Sequence, residues 1–254
     1  MREESISRIL ERIYDETGIV LSRATDRSRI GRYIDNGGII PQPYDPLPET
    51  LIHLVTTNET YFEREPYHFN FLMEEILPKL DCNGDTADPI RILCAPASSG
   101  EECYTIALRI EESPNKFRRR IEIVGIDISS EMIERAQRGF FSERSVHALD
   151  KKRLERYFVH ERDGYKIGEL NSVRVRFQVG NLFDPLMWEN LGRFDVIFSR
   201  NVMIYFDHKK NRELLERFKA HMDGYLILGH ADDHLQAREV FTSIRAEKGM
   251  IYRT

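Results

Sequence analysis

The sequence predicts an α/β protein: a doubly wound, mostly parallel sheet, preceded by an N-terminal helical domain and interrupted by a small antiparallel β insert. Three observations carry this. Apolar runs of strand length at residues 90–95, 121–126, 194–199 and 225–229 alternate with amphipathic segments of helical period, and runs this uniformly apolar suit strands buried on both faces. Upstream of residue 78 the apolar periodicity is helical. Within residues 158–177, Asp163-Gly164 is a hairpin dipeptide, and Val173, Val175 and Phe177 alternate with Arg174 and Arg176. The expected divisions are a helical domain at 1–78, a linker at 79–89, and a ligand-binding domain at 90–254 with the antiparallel subdomain at about 157–178.

The chain's 254 residues are enough to bury a sizeable core. A net charge of -5 excludes a global pull toward nucleic acid or anionic membrane, so any basic patch must be local. Cys82, Cys94 and Cys103 have no metal-ligand spacing, and a reducing cytoplasm is expected. No apolar run approaches the ~18 residues of a membrane span, and Met1-Arg2-Glu3-Glu4 lacks the apolar core of a signal peptide.

Taken in order, residues 4–16 form a helix with Ile6, Ile9, Leu10 and Ile13 on one face, closed by Gly18. A second helix starts at Ser22 and carries Ile30, Tyr33 and Ile34 inward. Its Arg23, Arg27, Arg29 and Arg32 stand against a single Asp26, either as a solvated face or as a patch that steers an acidic partner. Pro41, Pro43, Pro46 and Pro48 make an extended connector. Residues 56–65, TTNETYFERE, are dense in hydrogen-bonding groups. Either a ligand satisfies those groups or they cap the next helix, whose stripe is Phe69, Leu72, Met73 and Ile76. Residues 78–88, with Pro78 and Gly84 inside and Pro89 after, are the expected domain boundary.

The strand at 90–95 then passes through a small-residue turn ending at Gly100 into a helix that buries Cys103, Ile106, Ala107 and Ile110. Ligands of such folds sit at the carboxyl ends of the strands. The turn lacks G-x-G-x-x-G, and Glu101 and Glu102 at the helix start repel a phosphate. A cofactor with an ammonium or sulfonium group welcomes a carboxylate there, and S-adenosylmethionine carries both; alternatively the two glutamates only complement the helix dipole. Asp127 ends the second strand about 27 residues past Gly100, where nucleotide-binding folds hydrogen-bond ribose hydroxyls. Ser129 caps a helix burying Ile133 and Ala136, and residues 150–157 are a short helix. After the strand at 194–199, Arg200, Asn201 and Tyr205 fall at the carboxyl edge of the sheet; the alternative is a surface arginine beside core aromatics. A helix burying Leu215, Phe218 and Met222 follows, then the strand at 225–229, and residues 240–252 add an antiparallel pair at the sheet edge.

Six segments together carry a family resemblance. TTNETYF (56–62) with Arg64, ASSGEECYTIAL (97–108), GIDIS (125–129), GNLF (180–183), FSRNVMIYF (198–206) and LGH (228–230) resemble, in order and across nearly the whole chain, the chemotaxis receptor glutamate O-methyltransferases. The resemblance implies a class I methyltransferase-like fold, S-adenosylmethionine as methyl donor, S-adenosylhomocysteine as product, and no metal. It implies glutamates of chemoreceptor cytoplasmic domains as acceptors. Charge, cysteines and apolar run lengths add the expectation of a cytoplasmic protein that neither inserts in a membrane nor binds nucleic acid, and a monomer is expected. Position by position, Asn58, Thr60 and Arg64 contact the cofactor from the N-terminal side, Glu101 faces its methionine portion and Asp127 its ribose. Asn181 with Leu182 flanks the adenine, Arg200 with Asn201 closes the site, and Tyr205 holds the active-site tyrosine position. Arg23, Arg27, Arg29 and Arg32 then become a substrate-binding patch for a glutamate-rich receptor.

Pro96, Ser99 and Cys103 depart from the family's small residue, threonine and proline, and remove no ligand side chain. The compact insert resembles members that do not need a receptor's C-terminal pentapeptide as tether. The competing readings are a methyltransferase for another signalling protein and a non-catalytic S-adenosylmethionine-sensing module. A nucleic-acid enzyme is disfavoured, because the Asn-Pro-Pro-Tyr type of motif is missing.

Overall fold

The structure, a computed structural model, describes residues 2–42, 45–83, 85–246 and 248–254. Among the described residues, ten strands form two sheets: β1 (Ile90–Cys94), β2 (Ile121–Asp127), β3 (Phe140–Phe141), β4 (Phe158–Glu161), β5 (Gly164–Ile167), β6 (Arg174–Val179), β7 (Phe194–Ser199), β8 (Met222–Leu228), β9 (Thr242–Arg245) and β10 (Met250–Arg253). The large sheet has the order β6-β2-β1-β7-β8-β10-β9. Its β6, β2, β1, β7 and β8 are parallel, and β10 and β9 add antiparallel at one edge. The chain builds from β1 outward through β2 to β6, then returns to β7 on the other side of β1. That reversal opens a crevice at the carboxyl ends of β1 and β7.

Successive residues of a strand point to opposite faces, and each face of the sheet has its own core. Leu93, Val124, Ile197 and Leu226 pack with Trp188, Leu214 and Phe218 on one side. Ile92, Ile123, Val196 and Ile227 pack with Phe69, Ile76, Ile106 and Ile110 on the other. The N-terminal helices Arg2–Thr17, Ala24–Asp35 and Glu49–Val55 enclose a separate cluster of Ile6, Ile9, Ile13, Ile30, Leu51 and Val55.

Three expectations differ from the structure. The expected hairpin of β4 and β5 is present, turning at Arg162-Asp163 with Gly164 opening β5, but its sheet has the order β3-β5-β4, so the third strand comes from Phe140–Phe141 upstream. Arg174–Val179 instead runs parallel to β2 as an edge of the large sheet. Alternating apolar and basic residues suit either place, because an edge strand also keeps one exposed face; here Val175 and Phe177 pack on the core and Arg174 and Arg176 face outward. Second, the helical segment runs on through Pro78 and over residues 79–83 of the expected linker. Pro66–Phe71 passes through a π turn, Leu72–Ile76, into Leu77–Asn83. The Leu77 amide donates to the Leu72 carbonyl, and this widened turn accommodates a residue with no N–H and a bulky ring. Third, the proline connector gives way at Pro48 to the unanticipated helix Glu49–Val55. Pro43 of that connector and Gly84 of the expected boundary lie outside the described residues.

Candidate active site

A cavity of about 270 Å³ opens at the crevice. Its walls come from residues 55–61 with Arg64, the turn after β1, the end of β2, residues 180–182 after β6, the loop 200–206 after β7, and Thr17 and Ile19. Asn58, Thr60, Arg64, Asp127, Asn181, Leu182, Arg200, Asn201 and Tyr205, scattered over nearly 150 positions of sequence, all line this one cavity.

The turn after β1 depends on Gly100, whose φ of +97° is left-handed and whose added Cβ would meet the Ala136 Cβ at 2.9 Å. Asp127 anchors the same turn. Its carboxylate accepts the Ser98 amide at 2.8 Å and the Ser129 amide at 3.0 Å. Burial pushes its carboxyl upward, and those amides pull it back.

Glu101 is the expected site residue that the structure turns away. It is buried, its carboxylate accepts the Ser99 hydroxyl at 2.7 Å, and it does not line the cavity. Glu102 does. Neighbours on a helix point about 100° apart, so only one of the pair faces the crevice, and adjacency in sequence cannot say which. Burial raises the carboxyls of both glutamates; the Arg200 cation works against that at Glu102.

Arg200 is 6% exposed. Its guanidinium donates to Glu102 at 2.8 Å and to the Arg64 carbonyl, lies 3.2 Å from Glu65, and sits 5.2 Å from the Phe69 ring centroid. Burial opposes its charge, but the Glu102 and Glu65 carboxylates outweigh that and hold its pKa above the ordinary value. Two buried polar atoms on cavity-lining residues, Ser98 Oγ and Arg200 Nε, have no hydrogen-bond partner among the described residues, and the Glu102 carboxylate is approached by the buried Cys94 thiol as well as by Arg200. Each such group costs about 1–3 kcal/mol if left unpaired. The carboxylates, guanidinium groups, amides and hydroxyls carried by the lining residues fit a ligand with an ammonium, a carboxylate and hydroxyls.

The N-terminal segment closes the cavity through contacts that sequence reasoning missed. The Val20 amide donates to the Tyr205 carbonyl at 2.9 Å, and Ile19 bridges Phe206. The Tyr14 hydroxyl donates to Asp207 at 2.8 Å, and the Asn181 side-chain amide donates to the Glu16 carbonyl at 2.6 Å. Tyr14, Glu16, Ile19 and Val20 belong to no motif, so no sequence signal marks them. The Tyr205 phenol, half-buried in the wall, has no hydrogen-bond partner among the described residues.

Arg23, Arg27, Arg29 and Arg32 do not line the cavity. Arg27 pairs with Glu3 at 2.9 Å, and Arg29 donates to the Leu54 carbonyl. Arg23 and Arg32 are exposed.

Residues 58–250 match the family model described as CheR methyltransferase, SAM binding domain. A chemotaxis protein methyltransferase of Borreliella burgdorferi is 37% identical over 190 residues, covering 72% of this chain and 66% of that protein, just under two thirds of its length. Chemotaxis protein methyltransferase 2 of Vibrio cholerae is 36% identical over 208 residues, 80% of this chain and 72% of that protein. Among solved structures, magnesium protoporphyrin IX methyltransferase from Synechocystis with bound SAM superposes with a TM-score of 0.41 at 13% identity, covering 98% of this chain and 95% of that one. The match takes in the cavity's walls from Asn58 to the loop after β7, and the chain therefore belongs to the CheR methyltransferase family.

Proposed function

We propose that this protein transfers the methyl group of S-adenosylmethionine to glutamate carboxylates of chemoreceptor cytoplasmic domains, forming methyl esters and releasing S-adenosylhomocysteine. The observation that carries the reading is the convergence of Asn58, Arg64, Glu102, Asp127, Arg200 and Asn201 on one cavity that also holds the uncommitted Tyr205 phenol.

When bound, the cofactor supplies an electrophilic methyl on a sulfonium. Asn58, Thr60 and Arg64 hold it from the N-terminal side, and Asp127 receives the ribose. Leu182 and the backbone of Asn181 flank the adenine, since the Asn181 side chain is already tied to Glu16 and to the Phe183 amide. Glu102 replaces Glu101 as the carboxylate facing the ammonium, and Arg200 with Asn201 closes the site. A receptor glutamate, with a reference pKa of about 4.3, is ionised at neutral pH and needs no general base. The opposite charges neutralise as the methyl moves, so alignment and exclusion of water do most of the work. Alignment can supply roughly 7–11 kcal/mol of the barrier. Tyr205 therefore orients the acceptor carboxylate.

Exposed Arg23 and Arg32 favour encounter with an acidic receptor surface despite the net charge of -5. We place the enzyme in the cytoplasm as a monomer that acts without a pentapeptide tether. The test is transfer of radiolabelled methyl from S-adenosylmethionine to membranes holding full-length or C-terminally truncated chemoreceptors. Base-labile label on both supports carboxyl methylation without a tether, and label lost on truncation restores the tether. Tight cofactor binding with no label on any receptor moves the acceptor to another protein or makes the chain a sensor.

A further inference from the structure

Asp232 lies outside the cavity wall, yet it connects to the cavity through one loop. It follows β8, is 6% exposed, and commits both carboxylate oxygens to backbone amides. One oxygen accepts from Asn201 at 2.6 Å and from Gly229 at 2.7 Å; the other accepts from Met203 at 2.9 Å. Two of these donors, Asn201 and Met203, belong to the loop after β7, and Met203 opens the single 3-10 turn Met203–Tyr205 that carries Tyr205.

That loop needs an external hold. Asn201 has a φ of +60°, a left-handed conformation that costs a non-glycine residue roughly 1–3 kcal/mol and persists only where its surroundings impose it. The other side of the clamp is Gly229, where an added Cβ would lie 2.7 Å from the Asn201 side-chain nitrogen and 2.8 Å from its backbone nitrogen. Burial pushes the Asp232 carboxyl up to about 6, while the amides of Asn201, Gly229, Met203 and Val202 favour the ionised form. No ion pair to Asp232 occurs among the described residues. The acid is kept in place by backbone alone.

We propose that Asp232 is a positioning residue: with the bare α-carbon of Gly229 it holds the loop after β7 in the one conformation that presents Asn201 and Tyr205 to the cavity. The inference rests on the methyl transfer proposed above and deepens it. Asp232 touches neither cofactor nor acceptor and acts through the loop.

Two variants attack the clamp from opposite sides. D232N replaces one acceptor oxygen with a donor that faces an amide, and G229A inserts a methyl against Asn201. Methyl transfer to full-length receptors is measured for both at saturating substrates, with rates normalised to the binding stoichiometry of S-adenosylhomocysteine so that only folded sites count. The expected result is a kcat lower by roughly tenfold or more in each, equivalent to about 1.4 kcal/mol of barrier, with the receptor KM changed by less than threefold. Normalised kcat values within twofold of wild type in both variants overturn the inference, as does a loss that only tracks the fraction folded. If D232N does not fold, G229A alone decides, because it leaves the carboxylate intact. Wild-type enzyme runs in the same assay, so absence of receptor labelling there counts against the proposed activity rather than against the clamp.

Discussion

Lowering the pH from 8 to 5 should cost this protein about 2 kcal/mol of stability through one side chain, His68. The imidazole is 2% exposed, and its Nδ1 has no hydrogen-bond partner among the described residues. Glu65 lies 3.4 Å from that nitrogen, but its carboxylate also faces Arg200 at 3.2 Å and the His230 amide. Burial, with the Arg200 cation and the His234 imidazole nearby, pushes His68 down to about 3 from its ordinary 6.5. The folded state therefore refuses a proton that the unfolded chain accepts. The stability associated with neutral His68 is complete above about 6.5 and is lost progressively as the pH falls toward 3. At pH 5 the unfolded chain gains about 2 kcal/mol by protonating and the folded chain almost nothing. For a chain of this length that lowers the melting temperature by roughly 4–8 °C. Urea unfolding of wild type and H68Q at both pH values isolates the contribution: whatever the stability of H68Q at pH 8, its fall between pH 8 and 5 should be smaller by about 2 kcal/mol. An identical pH dependence in the two proteins would mean that His68 is protonated in the folded state, and would refute the argument.

E102A strands the buried Arg200 guanidinium with only part of its counter-charge, so denaturant unfolding should show a loss of about 3–5 kcal/mol. E102A/R200M, which removes both charges, should recover part of it, and a double variant no better than E102A would contradict the pairing. Y205F should lower turnover with little change in cofactor affinity, read by steady-state methylation beside calorimetric binding; a large loss of affinity would remove Tyr205 from the orienting role. R23E/R32E should slow receptor methylation at low salt, with the deficit shrinking as ionic strength rises, and an unchanged rate would return these arginines to an ordinary solvated face.

Much of the site was legible in the sequence because its chemistry is presented by short local units. A strand, a small-residue turn and a helix start put the turn after β1 and one of the paired glutamates at the crevice. An acid ending β2 and a polar loop after β7 do the same for Asp127 and for Arg200, Asn201 and Tyr205. Each unit is encoded within about ten residues by periodicity, turn chemistry and capping. The buried strands were legible for the same reason, as uninterrupted apolar runs, and Ser129 caps its helix by accepting the Met132 amide. Where the signal was ambiguous the reading slipped. An edge strand and a hairpin strand share one alternating pattern, and a two-residue strand such as β3 has none.

By itself, then, the sequence determined the main strands and helices of the large sheet, the doubly wound class and the family of residues that could meet a cofactor, since these follow from interactions between near neighbours along the chain. Only the tertiary structure decided that Glu102 rather than Glu101 faces the cavity, that Arg174–Val179 joins the large sheet, and that Asp232 clamps the loop carrying Tyr205. It also decided that residues 14–20 close the site. Those choices rest on partners far apart in sequence: Arg200 and Glu102 are 98 positions apart, Asn181 and Glu16 are 165 apart. No local pattern specifies such pairs, because they come into reach only when the sheet has ordered its strands and set which side of each helix faces the crevice.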